Sequence, residues 1–326
     1  MSSSIELTKT DRYVRHSALA TADAENKCYC PLCGSEKTSR KNLIEMEPVV
    51  ALWQKFYGID IRSEVGDFSH VELRGCHSCS ISFFLPESLA GSGDMYAKLE
   101  EMNRYYPADK WEYRTALTDL RNREKILEIG CGSGKFIALA RVEAALSIEG
   151  LEQNKRAILE ATQQGLHVRD ASAESLATEF PASYDAICSF QVVEHVPRLG
   201  NFIQTCCALL KPGGLLVAAM PNQRSYIRYM VNPLDMPPHH MTRWTRATIE
   251  RIPQFFPLKL VRFGYEPLPD HQIELCVDTY ESILYRYRIQ ILFHPWLRTR
   301  LIAAIRRLKF NRFIRGQNMY ACYVRL

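Results

Sequence analysis

Cys30 and Cys33 in CPLCG, and Cys76 and Cys79 in RGCHSC, form two Cys-x-x-Cys turns with the spacing that supplies four thiolates to a tetrahedral zinc ion. Ser80 stands where a glycine often closes such a turn, and Cys28 and His77 lie near enough in sequence to replace one ligand. Four thiolates leave the metal no open position, so the expected role is to hold together a segment too small for its own core. A second group sits in KILEIGCGSGKF, where an apolar strand precedes Gly130, Gly132 and Gly134 and a helix follows. There the backbone can turn sharply and approach a ligand. The pattern is GxGxG, with Lys135 where a dinucleotide fingerprint needs its third glycine. Glu128, two residues upstream, suits a cationic amino-acid ligand. Glu152, ending LSIEGLE, stands where a carboxylate accepts hydrogen bonds from both hydroxyls of a ribose. In RDASAESL, Ser172 and Ala173 fall where a small side chain and a backbone amide meet an adenine edge.

Three histidines are candidates for moving a proton. His195 follows the strand YDAICSF within QVVEHV, with Glu194 before it, at the sheet edge where open α/β folds put ligands. His239 and His240 lie in the long loop PNQRSYIRYMVNPLDMPPHHMTRWT. Pro237 and Pro238 favour an extended path there, so at most one of these two is expected to face a cleft, the other bonding the backbone or Asp235. A metal held by Asp235 and both histidines is a competing reading.

These residues need a scaffold, and the chain provides alternating strand-like and helix-like runs: KILEIG, GKFIALARV, ALSIEGL, NKRAILEATQQ, GLHVRD, SYDAICSF, LGNFIQTCCALL and GGLLVAAMP. That alternation predicts an α/β fold with a doubly wound parallel sheet. The organisation reads as a flexible polar arm at 1–27, a zinc-binding module at 28–94, a helical connector at 95–123 broken at Pro107, and an α/β domain at 124–326. A helical insertion occupies about 275–315. With 326 residues and 47% hydrophobic content the chain can bury one large core and a small accessory module. A net charge of +5 is too small for the footprint of a dedicated nucleic-acid binder. The N-terminal 25 residues hold no signal-peptide core and no stretch reaches membrane-spanning length, so a cytoplasmic protein is expected, one whose eleven cysteines stay reduced.

Taken in order, EIGCGSG, GLE, ASAESL, the YDAI strand, VVEHV and LKPGG resemble the motifs of class I methyltransferases dependent on S-adenosylmethionine (SAM), over roughly residues 95 to 270 and the final strand. The resemblance implies a Rossmann-like seven-stranded sheet. It places Glu128, Gly130, Gly132 and Gly134 around the methionine end of SAM, Glu152 on the ribose, Ser172 and Ala173 near the adenine, and Gln191 closing the site. A base among His195, His239 and His240 would then deprotonate the methyl acceptor. Tyr96, Tyr105 and Tyr106 either stack on the ligand or belong to the core. The Cys-pair segment, the apolar strand ending at Pro86, the Tyr-rich connector and the SAM core are also similar to bacterial methyltransferases of sugar and surface-polysaccharide pathways. That similarity implies methylation of an oxygen or carbon on a small-molecule or glycan acceptor, a nucleotide sugar or a surface-polysaccharide intermediate, with zinc as a structural ion.

Two other readings are an RNA methyltransferase that contacts nucleic acid through its zinc module, and a non-catalytic zinc-bearing interaction protein. Against the first stands the apolar CSFQVVEHV, where base N-methylases carry a polar Asp/Asn-Pro-Pro-aromatic turn. The insertion, rich in Arg, Leu, Ile and aromatics, either packs on the core or a dimer partner, or lies on an anionic membrane at the inner membrane surface.

Overall fold

The computed structural model describes residues 28–100, 110–286 and 295–326. The arm proposed for 1–27, and Tyr105, Tyr106 and Pro107 of the connector, lie outside these residues.

In chain order the elements begin with β1 (Thr38–Glu45), α1 (Met46–Tyr57), α2 (Arg62–Val65), β2 (His70–Cys76), β3 (Ser82–Leu85), α3 (Gly93–Glu100) and α4 (Trp111–Asp119). The alternating part runs β4 (Ile126–Ile129), α5 (Lys135–Ala144), β5 (Ile148–Glu152), α6 (Lys155–Gln163), β6 (Val168–Asp170), α7 (Ala173–Glu179), β7 (Tyr184–Phe190), α8 (Leu199–Leu209) and β8 (Leu210–Pro221). Then come β9 (Thr242–Arg243), α9 (Arg246–Arg251), β10 (Leu258–Pro267), α10 (Ile273–Arg286), α11 (Pro295–Leu308) and β11 (Arg315–Arg325).

Seven strands form one sheet in the order β10-β11-β8-β7-β4-β5-β6. β11 runs antiparallel to both neighbours, while the pairings among β8, β7, β4, β5 and β6 are parallel. This is the doubly wound Rossmann-like sheet expected from the sequence. Its central strands read as near-continuous apolar runs because both faces are covered, and alternate residues go to opposite layers. Ile126, Ala186, Cys188, Leu215 and Val217 pack with Ala116 of α4 and Phe136 of α5. Leu127, Ile187, Leu216 and Ala218 pack with Leu176 of α7 and Phe202 of α8. Helix starts follow local chemistry: the Asn154 side chain accepts from the N–H groups of Arg156 and Ala157 to open α6, and Thr245 does the same for α9 through Thr248.

A second sheet has the order β1-β2-β3-β9. Its last strand comes from the long loop after β8, so the N-terminal segment is hydrogen-bonded into the middle of the chain. The Phe84 N–H donates to the Met241 carbonyl at 2.9 Å, and Met236 and Met241 share an apolar cluster with Trp53, Val71 and Phe84. On the other side the Gly200 N–H donates to the Pro31 carbonyl at 2.7 Å, and Cys30, Cys76 and Cys79 lie in the same buried cluster as Leu199 and Phe202. The cysteine turns therefore seat on the start of α8. α10 and α11 pack on each other and on Tyr226 and Leu268 through Ile273, Cys276, Val277 and Ile302.

Candidate active site

A cavity of about 810 Å³ opens at the carboxyl ends of β4, β5 and β7, where the strand order reverses direction. Its floor is the glycine loop after β4. Gly130 has φ +74°, and a Cβ built there would sit 2.6 Å from Val192 Cγ2. Gly134, at φ +76°, caps α5, and its Cβ would meet Leu166 Cδ1 at 2.5 Å. Both the left-handed backbone and the close approach demand glycine at these two positions.

The Glu152 carboxylate ties this loop to the next strand. Its Oε2 accepts from the Gly132 N–H at 2.8 Å, and its Oε1 accepts from the N–H groups of Gln153 and Asn154 at 2.8 and 2.9 Å. One acceptor site on Oε2 remains for a ligand hydroxyl. Glu128 is 2% exposed, and its Oε2 has no hydrogen-bond partner. Burial holds its carboxyl well above the ordinary carboxylate range, opposed by the charge of Lys110. Such an orphaned acceptor fits the ammonium group of an amino-acid ligand, so the residues present suit SAM.

Gln191 adopts φ +56°, and its Nε2 lies 3.2 Å from Glu112 Oε1 and 3.4 Å from Asn318 Oδ1, bridging α4 to β11 at the cavity wall. Ala173 lines the cavity, while the Ser172 hydroxyl is spent capping α7, accepting from the Ser175 N–H at 3.1 Å. Lys110 is a cavity residue that no sequence motif marks. Burial lowers its pKa, countered by Glu112, Glu194 and Glu128. Its position just before α4, in a connector without motif spacing, carries no signal in the sequence alone.

All three histidines line the cavity. His195 Nδ1 lies 2.6 Å from the His239 carbonyl and 3.0 Å from the Tyr96 hydroxyl, which itself donates to that carbonyl at 3.2 Å. A carbonyl only accepts, so Nδ1 of His195 carries the proton. By the same reasoning His239 Nδ1 donates to the Leu234 carbonyl at 2.8 Å. His240 Nδ1 faces Asp235 Oδ1 at 3.4 Å. Burial pushes His195 down to about 4, and burial and mutual repulsion hold His239 and His240 well below the usual range, so all three are neutral near pH 7.

The expectation that only one of His239 and His240 faces the cleft is corrected here. Their N–H groups both donate to the Met236 carbonyl at 3.1 Å, which makes the segment a turn rather than an extended path, and the two rings stack at 4.5 Å. Asp235 Oδ2 lies 3.1 Å from Arg243 Nη2, and the group whose ligand atoms lie within 4.8 Å of one another is His195, His239 and His240, without Asp235. Arg243 belongs to β9, and the N-terminal sheet thus braces the Asp235–His240 pair.

Cys30, Cys33, Cys76 and Cys79 converge with all four sulfurs within 4.8 Å of one another. Cys30 Sγ is 3.5 Å from Cys79 Sγ, and Cys33 Sγ is 3.6 Å from Cys76 Sγ. Zinc–thiolate bonds of about 2.3 Å in a tetrahedron put the sulfurs about 3.8 Å apart, so the cluster fits that ion. Burial pushes Cys33 up to about 12, and hydrogen bonding from Cys79 brings Cys30 down to about 6. A cation would have to displace protons from the set. Cys28 stands outside this cluster, and His77 Nε2 lies 3.0 Å from the Ser39 hydroxyl.

Several known proteins are similar to parts of this chain. A family described as "Methyltransferase domain" matches residues 100–261. The ubiquinone biosynthesis O-methyltransferase of Caulobacter vibrioides is 40% identical over 103 residues, which is 30% of this chain and 41% of that protein. That of Dechloromonas aromatica is 28% identical over 163 residues, 44% of this chain and 70% of that protein. The match to the first of these spans less than half of the relative's length. A SAM-dependent methyltransferase from Archaeoglobus fulgidus superimposes with a TM-score of 0.49 at 19% identity, over 71% of this chain and all of that one. The relatives just named are quinone-pathway proteins, not proteins of sugar or polysaccharide pathways. Residues 100–261 are thus similar to a methyltransferase domain, and they lie on the Rossmann-like seven-stranded sheet that carries the cavity.

Proposed function

We propose that this protein transfers the methyl group of SAM to a hydroxyl oxygen of an uncharged small acceptor, with His240 as the base. The observation that carries the reading is the placement of the Asp235–His240 pair in the same cavity as Glu128, the glycine loop and Glu152. SAM, when bound, supplies a methyl group on a positively charged sulfur. The chain's own groups do the rest. Glu152 and the glycine loop orient the donor, and Lys110 and Glu128 offer opposite charges to its amino-acid end. His240 Nδ1 is held by Asp235, so its Nε2 has the lone pair that would take the proton of the acceptor hydroxyl as that oxygen receives the methyl group. His195 and His239, each with Nδ1 committed to a carbonyl, fix the ring of their neighbour.

Two features bear on the acceptor. Among the described residues, the cavity's cations are Lys110 and Lys135, against the carboxyls of Glu128, Glu152 and Glu174, while Glu194, raised by burial to about 8, stays mostly neutral near pH 7. That balance disfavours a diphosphate, and with it the nucleotide-sugar form of the glycan reading. Tyr57, Tyr96, Leu99, Ile227 and Leu234 supply an apolar wall suited to a ring or a neutral sugar face. Oxygen methylation also matches the names of the quinone-pathway relatives. The test is transfer from radiolabelled SAM into host extract separated into soluble metabolites, lipid and RNA, with Glu152→Ala as control. Label in metabolites or lipid that vanishes in the control supports the proposal. Label in RNA, or none in any fraction from a SAM-binding protein, overturns it.

A further inference from the structure

The segment from α11 into β11, PWLRTRLIAAIRRLKFNRFIR, contains Arg298, Arg300, Arg306, Arg307, Lys309, Arg312 and Arg315 and no acidic residue. Arg298 and Arg306 pair with Asp278 and Glu274 of α10. Arg307, Lys309 and Arg312 have no acidic partner among the described residues. Between these cations stand apolar side chains that the fold leaves in solvent: Trp296 is 57% exposed, Phe310 52% and Phe313 85%, with Leu301 and Leu308 beside them. The inward side of the same helix is satisfied, since Ile302 is buried against α10 and Tyr226. The exposed face is therefore surplus to the core, and large apolar side chains ringed by cations are the mark of a helix seated in the headgroup region of an anionic bilayer. Among the described residues no helix is long and apolar enough to cross a membrane, so such contact is interfacial.

This face is joined to the cavity. Ile227 lines the cavity and also packs against the α10–α11 cluster. Gln317, another cavity residue, donates to the Tyr226 hydroxyl at 2.5 Å, and that hydroxyl lies 3.1 Å from Gln272 Oε1 at the start of α10. One wall of the cavity is thus the back of the helical pair. We infer that residues 295–315 dock the protein on an anionic lipid surface and that its acceptor is an amphiphile, a hydroxylated head group on an apolar tail, reached from that surface. The acceptor part rests on the methyltransferase reading, and the docking part does not. A second copy of the chain is a poor occupant, because two such faces would oppose like charges. Nucleic acid offers the exposed leucines nothing to bury against.

The experiment is co-sedimentation with vesicles of phosphatidylglycerol and phosphatidylcholine, and with phosphatidylcholine alone. The expected result is binding to the anionic vesicles only, weakened by salt. Each cation near such a surface is worth about fivefold in partitioning, so R307A/K309A/R312A should lower it about a hundredfold. W296S/F313S should lower it too, and both variants should keep wild-type SAM affinity as evidence of folding. Equal binding to both vesicle types, no binding, unchanged binding by the variants, or displacement by RNA would overturn the docking surface. So would a stable dimer that the same substitutions dissociate. The acceptor arm offers the same hydroxylated head group with and without its tail, as a lipid phenol and as a lipid-linked glycan. Methylation of a tailed form in vesicles, and not of the tailless one, supports the amphiphile and names its source, whereas equal rates overturn it. Vesicle binding without SAM binding would sink the methyltransferase reading and leave the surface standing.

Discussion

Replacing Glu128 with Gln isolates the group that links proton and donor binding. The carboxyl is buried, its Oε2 lacks a partner, and burial holds its pKa well above the usual range, which favours the protonated form in the empty site. A ligand ammonium placed against it favours the ionised form, and binding therefore releases a proton. The sign follows: affinity for SAM rises with pH while the empty site still holds that proton, and levels off once the carboxyl ionises unaided. Glutamine keeps the shape but cannot ionise. A hydrogen bond to a charged group is worth about 1.5–3 kcal/mol, which is about 10- to 150-fold in Kd. Titration calorimetry of the E128Q variant and wild type with SAM, from about pH 6 to about pH 9 in buffers of different ionisation enthalpy, reads both affinity and proton release. The expected outcome is weaker binding on the alkaline side, a flat pH profile and no proton release, with unchanged or raised thermal stability. Equal Kd values with the same pH slope would refute the assignment of Glu128 to the ammonium. Weaker binding with a large fall in melting temperature would show a structural group instead.

His240→Asn is expected to lower kcat by about 10²- to 10⁴-fold with little change in the Kd for SAM, and Asp235→Asn to lower it less; rapid-quench turnover measures both. Because the His240 pKa is held well below 6.5, the acidic limb of the wild-type kcat profile should lie below that value, where protonation removes the base. Native protein should hold one zinc per chain by elemental analysis, and Cys33→Ser should lose it with a lowered melting temperature and slower turnover, since β9 connects this sheet to Asp235 through Arg243. Burial raises Glu194 to about 8 and Glu266 to about 7 from an ordinary value of 4.5. Their neutral forms favour the folded state, so stability is full below that ordinary value and is lost as pH rises through the raised ones; E266Q should flatten this fall in pH-dependent denaturant titrations. Gly134→Ala forces φ +76° on an L residue and sets a Cβ 2.5 Å from Leu166, so a loss of about 1–3 kcal/mol in denaturant stability is expected, together with weaker SAM binding.

Features that depend on neighbours along the chain were legible from residue spacing. The glycine loop, Glu128 and Glu152 follow from strand ends and the turns they require, the two-sided sheet from apolar runs alternating with helical periodicity, and the cysteine set from two tight turns. In each case the spacing of a few residues fixes the geometry. Tertiary structure decided what depends on residues brought together from afar. His239 and His240 face one cavity because the Met236 carbonyl gathers both N–H groups into a turn, against the extended path the prolines favour. Tyr96 reaches His195 across 99 positions, and Lys110 enters the cavity without any motif to announce it. The pairing of β3 with β9, which ties the cysteine segment to the histidine loop, rests on two short strands whose own residues say nothing of their partner. Such contacts arise from the burial of apolar faces against one another, a property of the packed whole that local spacing cannot specify.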